Sequence, residues 1–204
     1  MISMAREKNL NHPPKGSSIK VEPIKDKKDI TAMKKLLATS PRNLALFTLG
    51  INTALRASDL LAINYGQVKN LKAGEFFHIR EKKTGKKRTV TINKASFRAL
   101  SAYLAVRKKT ADDAPLFLSR EGKNRAISSI SLHGLVKSWC STLRIRGNYG
   151  SHTLRKTFGY HQRTTYGSDI AILMEAFNHS SPKQTLDYLC IQKKEVFDVF
   201  MNEI

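Results

Sequence analysis

Cysteine, acidic side chains and long apolar runs are scarce in this 204-residue sequence, and each scarcity narrows what the chain can be. The two cysteines, Cys140 and Cys190, are far apart and lack metal-ligand spacing, which excludes a disulfide framework and a zinc module. They read as reduced thiols of a cytoplasmic protein. No apolar stretch approaches the roughly 20 residues of a membrane span, and no apolar segment of a secretory signal follows the N-terminus. D-x-D, H-E-x-x-H and G-x-x-x-x-G-K-[ST] are all missing, which removes the common metal-hydrolase and nucleotide-phosphate signatures.

What is abundant is positive charge. Lys plus Arg number 36 against 16 Asp plus Glu, a formal net charge of +20. Such an excess repels itself in the compact state and predicts a polyanionic partner. A ribosomal or other basic binding protein satisfies charge alone as well as a DNA enzyme does. A membrane surface fits less well, because no Lys-rich amphipathic helix carries an aromatic face.

Residues 1–20 read as a flexible, basic tail, and the fold is expected from Val21. Ile30, Met33, Leu36 and Leu37 have helical spacing after Asp29. Ser40-Pro41 marks the cap and first turn of a second helix, apolar nearly all round and so expected to be buried. Arg56 then opens R-A-S-D-L-L-A-I-N, read as a third helix with Leu60, Leu61 and Ile63 inward. Arg56 suits either a surface ion pair with Asp59 or a desolvated functional cation.

Phe76–Arg80 and Arg88–Ile92 read as a hairpin whose turn, Lys82 to Lys87, is basic, with Gly85 available for positive φ. That tip suits a charged edge or a finger on a sugar-phosphate backbone. Asn93 caps a helix carrying Phe97, Leu100, Tyr103 and Leu104. After an extended Pro115–Leu118, Ser128 or Ser129 starts another helix, with Ile130, Leu132, Leu135, Val136 and Trp139 expected inward. A basic loop with Arg144 and Arg146 leads to the densest stretch, Ser151 to Leu189. A last helix, Lys193 to about Glu203, has the stripe Val196, Phe197, Phe200, and suits either folding back or docking on a neighbouring molecule.

Within Ser151 to Leu189, His152 and Arg155 lie three apart and so on one helix face. His179 stands at a helix-to-helix joint, and Tyr188 lies six residues beyond Pro182. A guanidinium, two imidazoles and a phenol form a poor core but suit phosphodiester chemistry. Arginine forks neutralise non-bridging oxygens, a histidine moves the nucleophile's proton, and a lysine protonates the leaving 5′ oxygen. A phenol nucleophile stores the bond energy in a phosphotyrosine, so resealing needs no nucleotide cofactor.

The motifs resemble the tyrosine recombinase (phage integrase) family, specifically its catalytic domain. T-A-L-R-A-S-D-L-L looks like the first-arginine box, giving Arg56 with Asp59 as companion acid. K-K-T-G-K-K-R-T-V resembles the catalytic-lysine hairpin, with Lys83 the best match beside Lys82, Lys86 and Lys87. H-T-L-R-K-T-F is similar to the H-x-x-R box of His152 and Arg155, and F-N-H-S-S-P-K-Q-T-L-D-Y to the final box of His179 and Tyr188. The sequence departs from the family at Phe177-Asn178, where Leu-Gly is more usual, and at Ala54, where glycine is frequent.

The resemblance implies a mainly α fold with a small antiparallel β-sheet, a catalytic domain over residues 21–204, and a last helix that docks in trans in many members. It also implies site-specific cutting and rejoining of double-stranded DNA through a 3′-phosphotyrosyl intermediate at Tyr188, without metal or ATP. Further implications are a homotetramer on paired sites, accessory DNA-bending proteins, and a prokaryotic, phage or mobile-element origin. Many members carry a separate N-terminal domain that closes around DNA, so the chain reads as a fragment or a compact single-domain member. Lys82, Lys86, Lys87 and Arg88 of the hairpin, Arg144 and Arg146 of the loop, and Lys156 are the expected DNA contacts. Two rivals share parts of this reading: a type IB topoisomerase-like relaxer, and a DNA-binding regulator that keeps the fold without the chemistry.

Overall fold

The computed structural model describes residues 20–120 and 125–189, together with Phe197, Phe200, Met201 and Glu203. Nearly all of the expected tail, Cys190 and most of the expected last helix lie outside the described residues. Among the described residues the order is α1 (Lys27–Leu36), α2 (Pro41–Gly50), α3 (Ala57–Leu60), β1 (Phe76–Arg80), β2 (Lys87–Thr91), α4 (Lys94–Val106), α5 (Ser129–Thr142), α6 (Ser151–Thr164), α7 (Ile170–Phe177) and α8 (Pro182–Leu189). This is the mainly helical fold with one small antiparallel sheet that the sequence resemblance implied.

Caps mark several helix starts. Asp26, Asn93, Ser128 and Asp169 each accept a bond from a backbone N–H of the first turn that follows. Ser40 occupies the same position before α2 but makes no side-chain cap bond. Forgoing it costs about 1 kcal/mol. Burial of Leu46, Phe47 and Leu49, all fully inaccessible, contributes roughly 2 kcal/mol apiece, so packing decides that helix.

α2 is the axis of the main core. Around it pack Leu100 and Tyr103 of α4, Leu132, Val136 and Trp139 of α5, Phe77 and Val90 of the hairpin, and Leu154 of α6. Trp139 is core, edge-on to Phe47 at 6.3 Å between ring centres. Ile130 is not: it is 85% exposed. It lies two residues before Leu132, a spacing that places it on the opposite side of the helix from the inward arc. The third helix is also shorter than expected, a single turn. Beyond it the chain becomes extended, so that Asn64 bridges Pro115 and Ile63 O accepts from Leu116 N.

A smaller cluster, Ala54, Leu173, Phe177 and Leu189, lies beneath α6, α7 and α8. Gly159 on α6 makes it possible: a Cβ there would fall 2.5 Å from both Leu189 and Phe177. The tyrosine-bearing α8 can therefore lie close against α6. No described helix is long and apolar enough to cross a membrane.

Candidate active site

Both faces of the hairpin are set by strand alternation. Phe77↔Val90 is a buried pair, and Ile79↔Arg88 follows in register. Continuing the inward phase of β1 (Phe77, Ile79) places Glu81 inside, 1% exposed, and the inward phase of β2 (Val90) brings Arg88 with it. Sequence reading passed over Glu81 and assigned Arg88 to DNA. The structure turns Arg88 inward: it donates to Glu81 Oε1 (3.2 Å), Thr53 O (3.2 Å) and Ala176 O (2.7 Å). Period-two alternation was the signal for both residues.

Glu81 is the meeting point of the site. Its Oε2 accepts from Arg56 (2.8 Å), Thr84 Oγ1 (2.7 Å) and Asn178 Nδ2 (3.1 Å). Burial alone would raise its pKa, but bonds from Thr84, Arg56 and Asn178 and the charge of Arg56 outweigh it and bring it down to about 2. The surface-pair reading of Arg56 thus gives way to a buried one. Asp59, three residues on, is the more distant partner at 3.7 Å, and its Oδ1 accepts from Lys82 N at 2.9 Å.

Arg155 on α6 is 2% exposed and held by two main-chain carbonyls, Ala54 O (2.8 Å) and Phe177 O (2.6 Å). Its guanidinium lies 4.8 Å over the Phe177 ring and 6.0 Å from the ring centre of Tyr188. Burial is the main cause of a pKa lowered to about 10, with Tyr188 opposing and Arg56 and Arg88 adding. The group stays charged at neutral pH. Both carbonyls sit next to unusual backbone: Ala54 has φ 53°, and Asn178, directly after Phe177, has φ 51°. The asparagine thus takes the left-handed conformation that a Leu-Gly pattern would place on glycine.

His179 follows that joint. Its ring stacks on Phe177 (5.2 Å, 24°) and meets Tyr188 edge-on (5.3 Å, 77°), with Nδ1 3.1 Å from the buried Thr185 hydroxyl. Burial, then Arg155 and Arg56, lower its pKa to about 4, so it is neutral at pH 7. His152, in the first turn of α6, keeps an exposed edge. Desolvation of the rest, then the charges of Arg155, Lys156, Arg56 and Lys83, push it below its ordinary 6.5.

Tyr188 is half-buried on α8, with Lys156 Nζ 4.9 Å over its ring. Lys156, expected at the DNA surface, is buried beside it instead, because α8 packs over that part of α6. His152, His133, Lys156 and Tyr188 line one open cleft. Lys82, Lys83, Lys86 and Lys87 are exposed in and beside the turn, and Arg144 and Arg146 in the loop before α6. Of the four hairpin lysines, Lys83 is the one whose charge is felt at His152, while Lys86 and Lys87 line a different cleft with Glu175 and Asn52. Structure therefore brings together Arg56, His152, Arg155, His179 and Tyr188, with the Lys83 turn at their edge. Among the described residues no group of three or more His, Cys, Asp or Glu could hold a metal ion.

Residues 25–195 match the phage integrase family. The chain belongs to that family. It is 36% identical over 176 residues to the probable integrase/recombinase YoeC of Bacillus subtilis, covering 85% of this chain and 91% of that one. To the tyrosine recombinase XerC of Thermodesulfovibrio yellowstonii it is 29% identical over 170 residues, 79% of this chain and 54% of the relative. This integrase-family chain thus spans nearly all of one relative and about half of the other. Its fold is also that of the XerH site-specific recombinase, solved bound to a palindromic difH substrate, with TM-score 0.69 at 18% identity over 91% of this chain and 55% of that one.

Proposed function

We propose that this tyrosine recombinase cuts and rejoins double-stranded DNA at specific sites, with Tyr188 as nucleophile. The observation that carries the reading is the seat of Arg155. A buried, permanently charged fork is pinned by two carbonyls 6.0 Å from the ring centre of a half-buried tyrosine. Holding such a charge out of water is costly unless it is used where negative charge develops.

In the first step the Tyr188 hydroxyl oxygen bonds to phosphorus and the P–O5′ bond breaks. The phenolic proton passes to His152, whose lowered pKa leaves it neutral and able to accept. Lys83 donates a proton to the departing 5′ oxygen. Arg56 and Arg155 take the non-bridging oxygens, and His179 supports Tyr188 through its ring edge. The product is a 3′-phosphotyrosyl enzyme and a free 5′ hydroxyl. Attack by a 5′ hydroxyl from a second duplex reverses the chemistry and reseals the strand. Exchange between two duplexes breaks four strands, which is met by four copies of the chain on paired sites. Bending of the DNA by accessory proteins is compatible with that assembly. XerH, of the same fold, is bound to its substrate in a post-cleavage complex, which supports DNA as the partner here.

The test is a nicked suicide duplex of the natural site, incubated in EDTA. The expected result is a covalent protein–DNA adduct that maps to Tyr188 and disappears in Tyr188→Phe while binding persists. An adduct retained in Tyr188→Phe refutes the nucleophile. Salt-sensitive binding without any adduct, on genuine sites, favours the regulator.

A further inference from the structure

We infer that Glu81 is a positioning residue for leaving-group departure, fixing the turn that carries Lys83 relative to the phosphate-holding Arg56. The inference rests on the recombinase reading above and adds a residue that lies outside the motifs through which the sequence resembles the family.

The argument starts from how the turn is closed. Glu81 ends the inward phase of β1, and its own backbone closes the loop. Glu81 N donates to Lys86 O (2.9 Å), and Gly85 N donates to Glu81 O (2.8 Å). Its side chain then bonds the turn a third time, through Thr84 Oγ1 at 2.7 Å, one residue past Lys83. Lys83 itself is exposed, and a four-carbon side chain on a free turn would sample many positions. The same carboxylate holds Arg56 at 2.8 Å and Arg88 at 3.2 Å. Through Asn178 at 3.1 Å it also reaches the joint before His179. One buried side chain therefore links the Lys83 turn, the first-arginine box and the final box. The depressed pKa of Glu81 agrees with a carboxylate kept ionised for that purpose. Charge neutralisation alone would not explain Thr84, which brings no charge but ties the turn to the arginine's anchor.

The experiment compares covalent adduct formation on two suicide substrates. One carries the ordinary 5′ oxygen at the scissile bond, the other a 5′ sulfur, which departs without protonation. Wild type forms adduct on both, and Tyr188→Phe on neither. Lys83→Ala is defective on oxygen and restored on sulfur, whereas Arg56→Ala is defective on both. Glu81→Gln keeps the size and one acceptor oxygen but removes the charge and replaces the other acceptor with a donor. It is expected to lose at least about tenfold more rate on oxygen than on sulfur, a barrier difference of one decade. Thr84→Val removes the turn-side bond to Glu81, together with the longer bond that Thr84 Oγ1 accepts from Lys86 N (3.3 Å), at an exposed residue. It is expected to show the same leaving-group preference at smaller size, about threefold to fivefold. Equal losses on the two substrates in both variants, or no loss in either, overturn the role of Glu81 while leaving the recombinase reading intact. No adduct from wild type on either substrate overturns the recombinase reading, and this inference with it.

Discussion

Two populations of positive charge meet at this site, and they are built differently. Arg56, Arg88 and Arg155 are covered, and each is held by carboxylates or main-chain carbonyls. Lys82, Lys83, Lys86, Lys87, Arg144 and Arg146 are exposed, on a turn and a loop. The covered set has its solvation replaced by fixed dipoles, so its geometry is settled before DNA arrives. The exposed set keeps its water and counterions, so its contribution is long-ranged, salt-dependent and adjustable. Net charge of +20 counts both alike, but they should respond to mutation in opposite ways.

The largest contrast is expected at Arg155. Arg155→Ala leaves Ala54 O and Phe177 O buried without their donor, at about 1–3 kcal/mol for each carbonyl. The chemical step should fall by roughly 10²–10³ for the lost charge. Denaturant midpoints and single-turnover adduct rates measure the two losses. Arg155→Lys restores the charge but cannot span both carbonyls, so most of both losses should remain. Full activity in the lysine variant would show that the two-carbonyl seat is incidental.

Arg88 provides the sharpest way to break the division, because sequence position alone groups it with the lysines. Arg88→Ala strips the buried Glu81 carboxylate of one of its two arginine partners, leaving Arg56 in place, and should cost about 1.5–3 kcal/mol of stability. It should leave the slope of log affinity against log salt unchanged. Lys82→Ala, Lys87→Ala and Arg144→Ala should each change stability by less than about 0.5 kcal/mol. Wherever the side chain meets a phosphate, the salt slope should fall by about one unit. A reduced salt slope in Arg88→Ala would return that residue to the DNA-contacting set.

The same division explains what could be read from the sequence. His152 and Arg155 were legible from their three-residue spacing on one helix face, and Arg56, His179 and Tyr188 from the boxes that resemble those of the family. Asn93, Ser128 and Ser181-Pro182 marked helix boundaries through local backbone chemistry. Glu81 was passed over, and Arg88 assigned to the DNA surface, for a different reason. Charged residues flanking a Lys-rich turn look solvent-exposed, and only the alternation set by Phe77, Ile79 and Val90 says otherwise. Lys156 offered no signal, since its burial depends on α8 packing across α6, a contact with no local trace. Ile130 failed in the converse direction, an apolar side chain on a polar face.

Acid should loosen the covered set in two stages. His179 has its folded pKa lowered from 6.5 to about 4, so the unfolded chain binds its proton first as pH falls. Stability present above pH 6.5 is therefore lost progressively between 6.5 and about 4, by on the order of 2 kcal/mol. His152 shifts in the same direction and adds to that slope. Glu81, lowered from 4.5 to about 2, extends the loss to lower pH as its carboxylate is protonated away from Arg56 and Arg88. Melting temperatures from pH 8 to 3 should show both stages. In His179→Gln the upper stage should flatten while the lower one stays. An unchanged upper stage would mean that the ring is solvated enough to protonate freely.

For the covered cations, the smallest effect is expected where they meet the backbone. Ala54 places its carbonyl on Arg155 while holding φ at 53°, a conformation that costs a residue with a Cβ about 1–2 kcal/mol. Ala54→Gly removes that cost. It also removes a methyl that is 1% exposed in the smaller core cluster, worth about 0.8 kcal/mol, and gives the unfolded chain more freedom. These contributions nearly cancel, so stability should move by less than about 1 kcal/mol, and the adduct rate should stay near wild type. Asn178 is the control, because its left-handed backbone also carries a side-chain bond to Glu81. Asn178→Gly keeps the conformation and loses that bond, at about 1.5–3 kcal/mol for a hydrogen bond to a buried charge. If Ala54→Gly cost as much as Asn178→Gly, the Arg155 seat would depend on the packing of one methyl. The carbonyl alone would then no longer account for how the covered arginine is held.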